Sequence, residues 1–180
     1  GEIERMFENV GGAVTVWQEG LNKQERSLAD LNTKVKIRQN VIVTLIDRYD
    51  QTDADSKKWL DQAEQELALL DKFIRESETL SGTAETLFEL NQSRKFLRSA
   101  LLTRRGEYGS AIDLLAPAIR NEADSPTSRT FVMLRLLGTI YSQLGLDSQA
   151  AATFESGVAM ADSDSIRQED RKSTRLNSSH

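Results

Sequence analysis

LLGTIYSQLGLDSQAAATF, residues 136–154, is the stretch on which the fold turns. Leu137, Gly138 and Tyr141 recur at helical spacing before Gly145, and Ala150 and Phe154 do so after it. Positions three and four apart share one face of a helix, so each set marks a face that packs against something. Gly145 stands between them, where a helix must stop and the chain reverse. Glycine adopts positive φ without the steric penalty of a β-carbon, which is what such a stop requires. The stretch therefore reads as parts of two short helices, about 128–144 and 147–161, joined by a tight turn.

The same spacing resembles the tetratricopeptide repeat. That unit is a helix-turn-helix of about 34 residues carrying W-x2-L-G-x2-Y, then A-x3-F, then a closing proline. The chain has Leu134-x2-Leu137-Gly138-x2-Tyr141 followed by Ala150-x3-Phe154, with Gly157 where a small residue is expected. Residues 131–163 resemble one such repeat, with Leu134 in place of the aromatic and Asp162 in place of the proline. The resemblance implies that Gly138 and Ala150 are small because two helix backbones approach there, and that Tyr141 and Phe154 fill the groove between them. An earlier unit repeats the second half: Gly106, Ala111, Leu115 and Ala118 mirror Gly145, Ala150, Phe154 and Gly157. Its first half departs, with Arg98 and Ser99 standing where Leu-Gly would be, and the loop 121–127 lengthens the period. The resemblance covers about residues 92–163.

A tetratricopeptide fold implies a concave groove lined by the first helix of each repeat, and hence a protein or peptide partner. The matching positions here are Val132, Arg135, Thr139, Ser142 and Gln143, mostly small or polar, suited to an extended or helical peptide. Phe96, Ala100 and Leu136 occupy places where a carboxylate-clamping module uses Lys and Asn, so that clamp is not expected. Two repeats are fewer than the three or so that bury a continuous core. Either the N-terminal helices cover the open face, or the chain is a piece of a longer array.

Outward from this stretch, residues 3–50 read as a long amphipathic helix, with a break near Gly11-Gly12. Its seam runs Phe7, Val10, Val14, Trp17, Leu21, Leu28, Leu31, Val35, Ile42, Leu45 and Tyr49, interrupted by Gln24 and Arg38. This is a heptad pattern. A turn at 49–56, with Asp53 or Asp55 as the cap, leads into a second helix to about Leu80, with Leu60, Ala63, Leu67, Leu70 and Ile74 on one stripe. A third helix, 84–104, carries Leu87, Leu90, Leu97 and Leu101. The domain reading is a helical hairpin of coiled-coil character over 1–82, tetratricopeptide-like helix pairs over 83–162, and a disordered tail over 163–180. Residues 172–180, KSTRLNSSH, resemble a vector-encoded scar, and Gly1 in place of Met marks a processed or engineered start. The second helix is shorter than the first, so part of the seam is expected to stay uncovered. Trp17, Leu21, Leu28, Leu31, Val35, Ile42 and Leu45 are then a self-association surface for a homo-oligomer or a partner helix. Arg38 would weaken a symmetric pair or snorkel outward.

Composition agrees with helix throughout and points away from catalysis. Of 180 residues, 38% are hydrophobic, 28% are charged and two are proline, which favours helix. The absence of cysteine excludes disulfides and thiolate ligands and suits cytoplasm and periplasm equally. The one histidine is His180, in the scar-like end. No phosphate-cradling glycine motif occurs, and Glu64, Glu66, Asp71, Glu76 and Glu78 read as solvated helix carboxylates rather than a metal site. A net charge of −5 argues against nucleic acid. Residues 51–90 are acidic and 91–120 basic, a pattern expected to compensate internally. As a second reading, Arg94, Lys95, Arg98, Arg104 and Arg105 form a patch for an acidic peptide or phosphates. The longest apolar run, Val41–Val43 with Leu45-Ile46, is too short to span a bilayer. The expectation is an all-α, non-enzymatic interaction adaptor or scaffold with no cofactor and no metal. The alternative is a helical sensory or regulatory domain cut from a larger signalling receptor.

Overall fold

The computed structural model describes residues 28–79 and 84–160, with side chains from 33 to 75 and from 84 to 160. The described chain is all-α. Its elements are α1 (Leu28–Asp47), a 3-10 turn (Ala54–Ser56), α2 (Lys57–Thr79), α3 (Ala84–Arg104), α4 (Tyr108–Asn121), α5 (Ser128–Gln143) and α6 (147–160). No strand occurs among the described residues. The chain divides into two compact units after Gly106.

In the first unit each of α1, α2 and α3 packs on the other two. Each helix has one apolar stripe, and the three stripes close on a common core. Val35, Val41, Ile42, Leu45 and Ile46 come from α1, and Leu60, Ala63, Leu67, Leu70 and Ile74 from α2. Leu90, Leu97 and Leu101 come from α3. The α2 stripe is the one its sequence spacing predicts. The expected boundary at 82/83 differs from the observed division, because the α3 leucines complete this core. A two-helix hairpin would leave the α1 and α2 stripes half open.

That third helix also covers the described part of the seam. Val35, Ile42 and Leu45 are at most 4% exposed, buried inside their own chain. They are not surface for self-association. Trp17 and Leu21 lie outside the described residues, as do the side chains of Leu28 and Leu31.

The α1–α2 connection is built from short polar side chains. Asp50 Oδ1 accepts from the Thr52 amide at 2.8 Å and from the Thr52 hydroxyl at 2.7 Å. Asp53 Oδ1 accepts from the Asp55 amide at 2.9 Å, capping the 3-10 turn that leads into α2. Asp53 is thus the cap. Ser56 is buried, and its hydroxyl donates to the carbonyl of Asp53 at 2.6 Å.

In the second unit α4 packs on α5. Ala111, Leu115 and Ala118 of α4 are fully buried, as are Met133 and Ile140 of α5. The connection between these helices, the 121–127 loop, lengthens the period of the repeat. It is organised around Glu122, which is 3% exposed. Arg129 donates to Glu122 Oε1 through Nε at 2.8 Å and Nη2 at 2.6 Å. Thr130 and Thr127 hydroxyls donate to Oε2. The Thr130 hydroxyl also accepts the Thr127 amide at 2.8 Å, closing the first turn of α5.

Ile42→Ala empties a fully buried site and is expected to lower unfolding free energy by about 2–5 kcal/mol at unchanged denaturant slope. Urea denaturation followed by circular dichroism measures it. Asp50 supplies an acid dependence. The Thr52 amide, and then its hydroxyl, hold the carboxyl below its ordinary 3.8. A depressed folded-state pKa contributes stability above the unfolded value, and that stability is lost as pH falls through the folded value. Asp50→Asn is expected to melt below the parent above about pH 4 and to converge with it at lower pH, so that its acid-induced fall in melting temperature is shallower.

Candidate functional site

The α5–α6 turn is closed by glycine. Gly145 has φ +70°. The Leu146 amide donates to the Tyr141 carbonyl at 2.9 Å, and the Gly145 amide to the Ser142 carbonyl at 3.0 Å. These two bonds are the Schellman closure, which satisfies carbonyls that the helix end would otherwise leave open. Gly106, after α3, has φ +79° and ends its helix in the same backbone region.

Beyond the turn, α5 and α6 run back along each other with two phenylalanine rings between them. A β-carbon built on Gly138 would lie 2.6–2.9 Å from three ring atoms of Phe154. Real β-carbons are essentially never that close to such atoms. The atoms that exclude a side chain at 138 belong to this ring, not to the facing helix backbone that the repeat resemblance implies. At the other end, the Phe131 ring lies 3.6–3.7 Å from the position of a β-carbon on Gly157. Both rings remain 40% exposed, so they close the seam from its rim and do not lie in a sealed core. Ala150 is buried at 5%.

The sequence-predicted partner positions lie along α5. Arg135, Thr139, Ser142 and Gln143 are all exposed, and Val132 is half-buried. Steps of three and four place 132, 135, 139 and 142 on one stripe of the helix. Thr139 returns its hydroxyl to the Arg135 carbonyl at 2.9 Å. The Arg135 guanidinium has no carboxylate within ion-pair distance among the described residues.

The basic helix has a different fate. Arg94 pairs with Asp71 at 3.5 Å, and Arg98 with Asp71 at 3.4 Å and with Glu64 at 3.2 Å. Arg105 pairs with Glu64 at 3.1 Å and with Asp61 at 3.5 Å. As residue numbers rise on α3 they fall on α2, which is an antiparallel charge ladder. Arg104 reaches Asp47 of α1 at 3.9 Å. The acidic and basic segments compensate one another, so these four arginines are not a free phosphate patch. Each pair is part-exposed and contributes little singly.

Between α1 and α3 lies a cleft of about 370 Å³, lined by Val35, Lys36 and Gln39 on one side and Glu85, Leu90 and Ser93 on the other. Its charges are mixed. Among the described residues no group of three His, Cys, Asp or Glu is placed to hold a metal ion. No described helix is long and apolar enough to cross a membrane.

Two features escaped the sequence reading. Arg38 is buried at 6%, paired with Glu66, instead of reaching outward. Glu122 anchors a loop that showed only breakers. Thr127 and Thr130 form the reciprocal cap without the Glu or Gln that marks a capping box in sequence. Comparisons with family models, with curated proteins and with solved structures found no match.

Gly138→Val is expected to displace the Phe154 ring and destabilise the chain by about 1–3 kcal/mol. Combined with Phe154→Leu, the cost is expected to be smaller than the two separate costs added. A double-mutant cycle from thermal or urea unfolding measures this coupling.

Proposed function

We propose that this chain is a non-enzymatic protein–protein interaction adaptor or scaffold, and that its second unit is tetratricopeptide-like. Support for the repeat reading comes from the glycine-closed turn, from the Phe154 ring seated on Gly138, and from the buried Ala150. Ser99, which stands where the earlier repeat would have its small residue, is fully buried and keeps its hydroxyl on the Lys95 carbonyl at 2.8 Å.

The observation that carries the adaptor reading is the α5 stripe. Four polar residues are exposed on consecutive turns, and Arg135 among them has no counter-charge among the described residues, whereas four arginines of the first unit are paired. A peptide laid along α5 would meet hydrogen-bonding side chains at each turn and one cation. The chemistry fits a short extended or helical segment carrying an acidic residue.

Screening a displayed peptide library against the purified chain is expected to enrich acid-containing sequences, whose affinity is then read by fluorescence polarisation. Arg135→Glu with Gln143→Ala is expected to weaken the enriched peptides about ten-fold or more at unchanged helicity. Peptides that bind both chains equally, or a library that yields no enrichment, would overturn the assignment.

A further inference from the structure

Arg38 stands in the middle of an apolar stripe, with Val35 one turn before it and Ile42 one turn after. Both neighbours are at most 2% exposed. Its side chain is 8% exposed, and Nη1 donates to Glu66 Oε2 of α2. The guanidinium lies 5.3 Å from the centroid of the Phe73 ring, also on α2. Nε finds no acceptor among the described residues. Burying a guanidinium with one donor unmet is a poor way to gain stability. Apolar residues of similar volume often do as well or better in such a place. What a polar residue at a seam position supplies is choice of partner and register.

We propose that the Arg38–Glu66 pair directs α1 to pair within its own chain, and that it excludes pairing of α1 with a second copy. The counter-charge for Arg38 comes from α2. In a parallel, symmetric pair of α1 helices, position 38 of one copy faces position 38 of the other, so two guanidinium groups meet in an apolar seam. An antiparallel pair fares no better. The carboxylates of α1 are Asp30 and Asp47, and neither falls on the stripe that carries 35, 38, 42 and 45. Asp47 is exposed and reaches Arg104. The seam is thus open to α2 and closed to a copy of itself. This specificity is negative, built from a charge left unmatched in the wrong assembly.

The test replaces both partners at once in the full chain. Arg38→Leu with Glu66→Leu makes the seam continuously apolar. Light scattering is expected to report one chain mass for the parent, and a dimer or larger species for the double-leucine chain, at matched concentrations and with helicity kept. The chain has no cysteine, so Gln39→Cys, beside the seam, reports on which face associates. A disulfide between copies is expected in the double-leucine background and not in the parent. The swap Arg38→Glu with Glu66→Arg restores an in-chain pair and is expected to stay at one chain mass. A double-leucine chain that remains monomeric, that unfolds, or that associates without the position-39 crosslink overturns the proposal. So does a charge-swapped chain that associates as the double-leucine chain does.

Discussion

A benzene ring cannot share space with a β-carbon, and the second unit is arranged around that exclusion. Phe154 occupies the volume that any side chain at 138 would need. Its seat fixes how α6 lies on α5. The turn must then deliver α6 within three residues of the end of α5, which a backbone with positive φ at Gly145 achieves. With α6 on one side and α4 packed on α5 as well, Arg135, Thr139, Ser142 and Gln143 are left on the exposed side of α5. Surface and packing are therefore two faces of one helix, and the choice of glycine at 138 bears on both.

The first unit solves a different problem. Three amphipathic helices have no glycine-closed approach and gain little from any one contact. Their association rests on the joint removal of apolar stripes from water, which has no direction of its own. Direction comes from charge. The ladder of Asp61, Glu64 and Asp71 against Arg94, Arg98 and Arg105 fits one antiparallel register of α2 and α3. Sliding α3 by one turn would move each guanidinium about 5.4 Å from its carboxylate. Arg38 with Glu66 does the same for α1 and α2, in a drier place and with more at stake if the partner is wrong.

Much of this was legible from residue order. The helices α2, α3, α5 and α6 fall close to where spacing, caps and breakers placed them, because those signals are local. The stripe Leu60, Ala63, Leu67, Leu70 and Ile74 is buried as its period requires. Gly138, Gly145, Ala150 and Phe154 form a helix pair because close packing leaves few residue types free at those points. The positions Arg135, Thr139, Ser142 and Gln143 were named through the tetratricopeptide resemblance, and their side chains are exposed.

What residue order alone determined, then, is helix, periodicity and turn, each decided within a few residues along the chain. Which stripe meets which is decided by residues far apart, and that belongs to the tertiary structure. Period alone could not tell whether the long seam closes on one helix or two, and so could not assign the α3 leucines to the core of the first unit. Nor could it show that Arg38 finds Glu66 twenty-eight positions away, or that Glu122 becomes the hub of a loop. A buried charge is stable only beside its partner, and the partner is brought there by the fold.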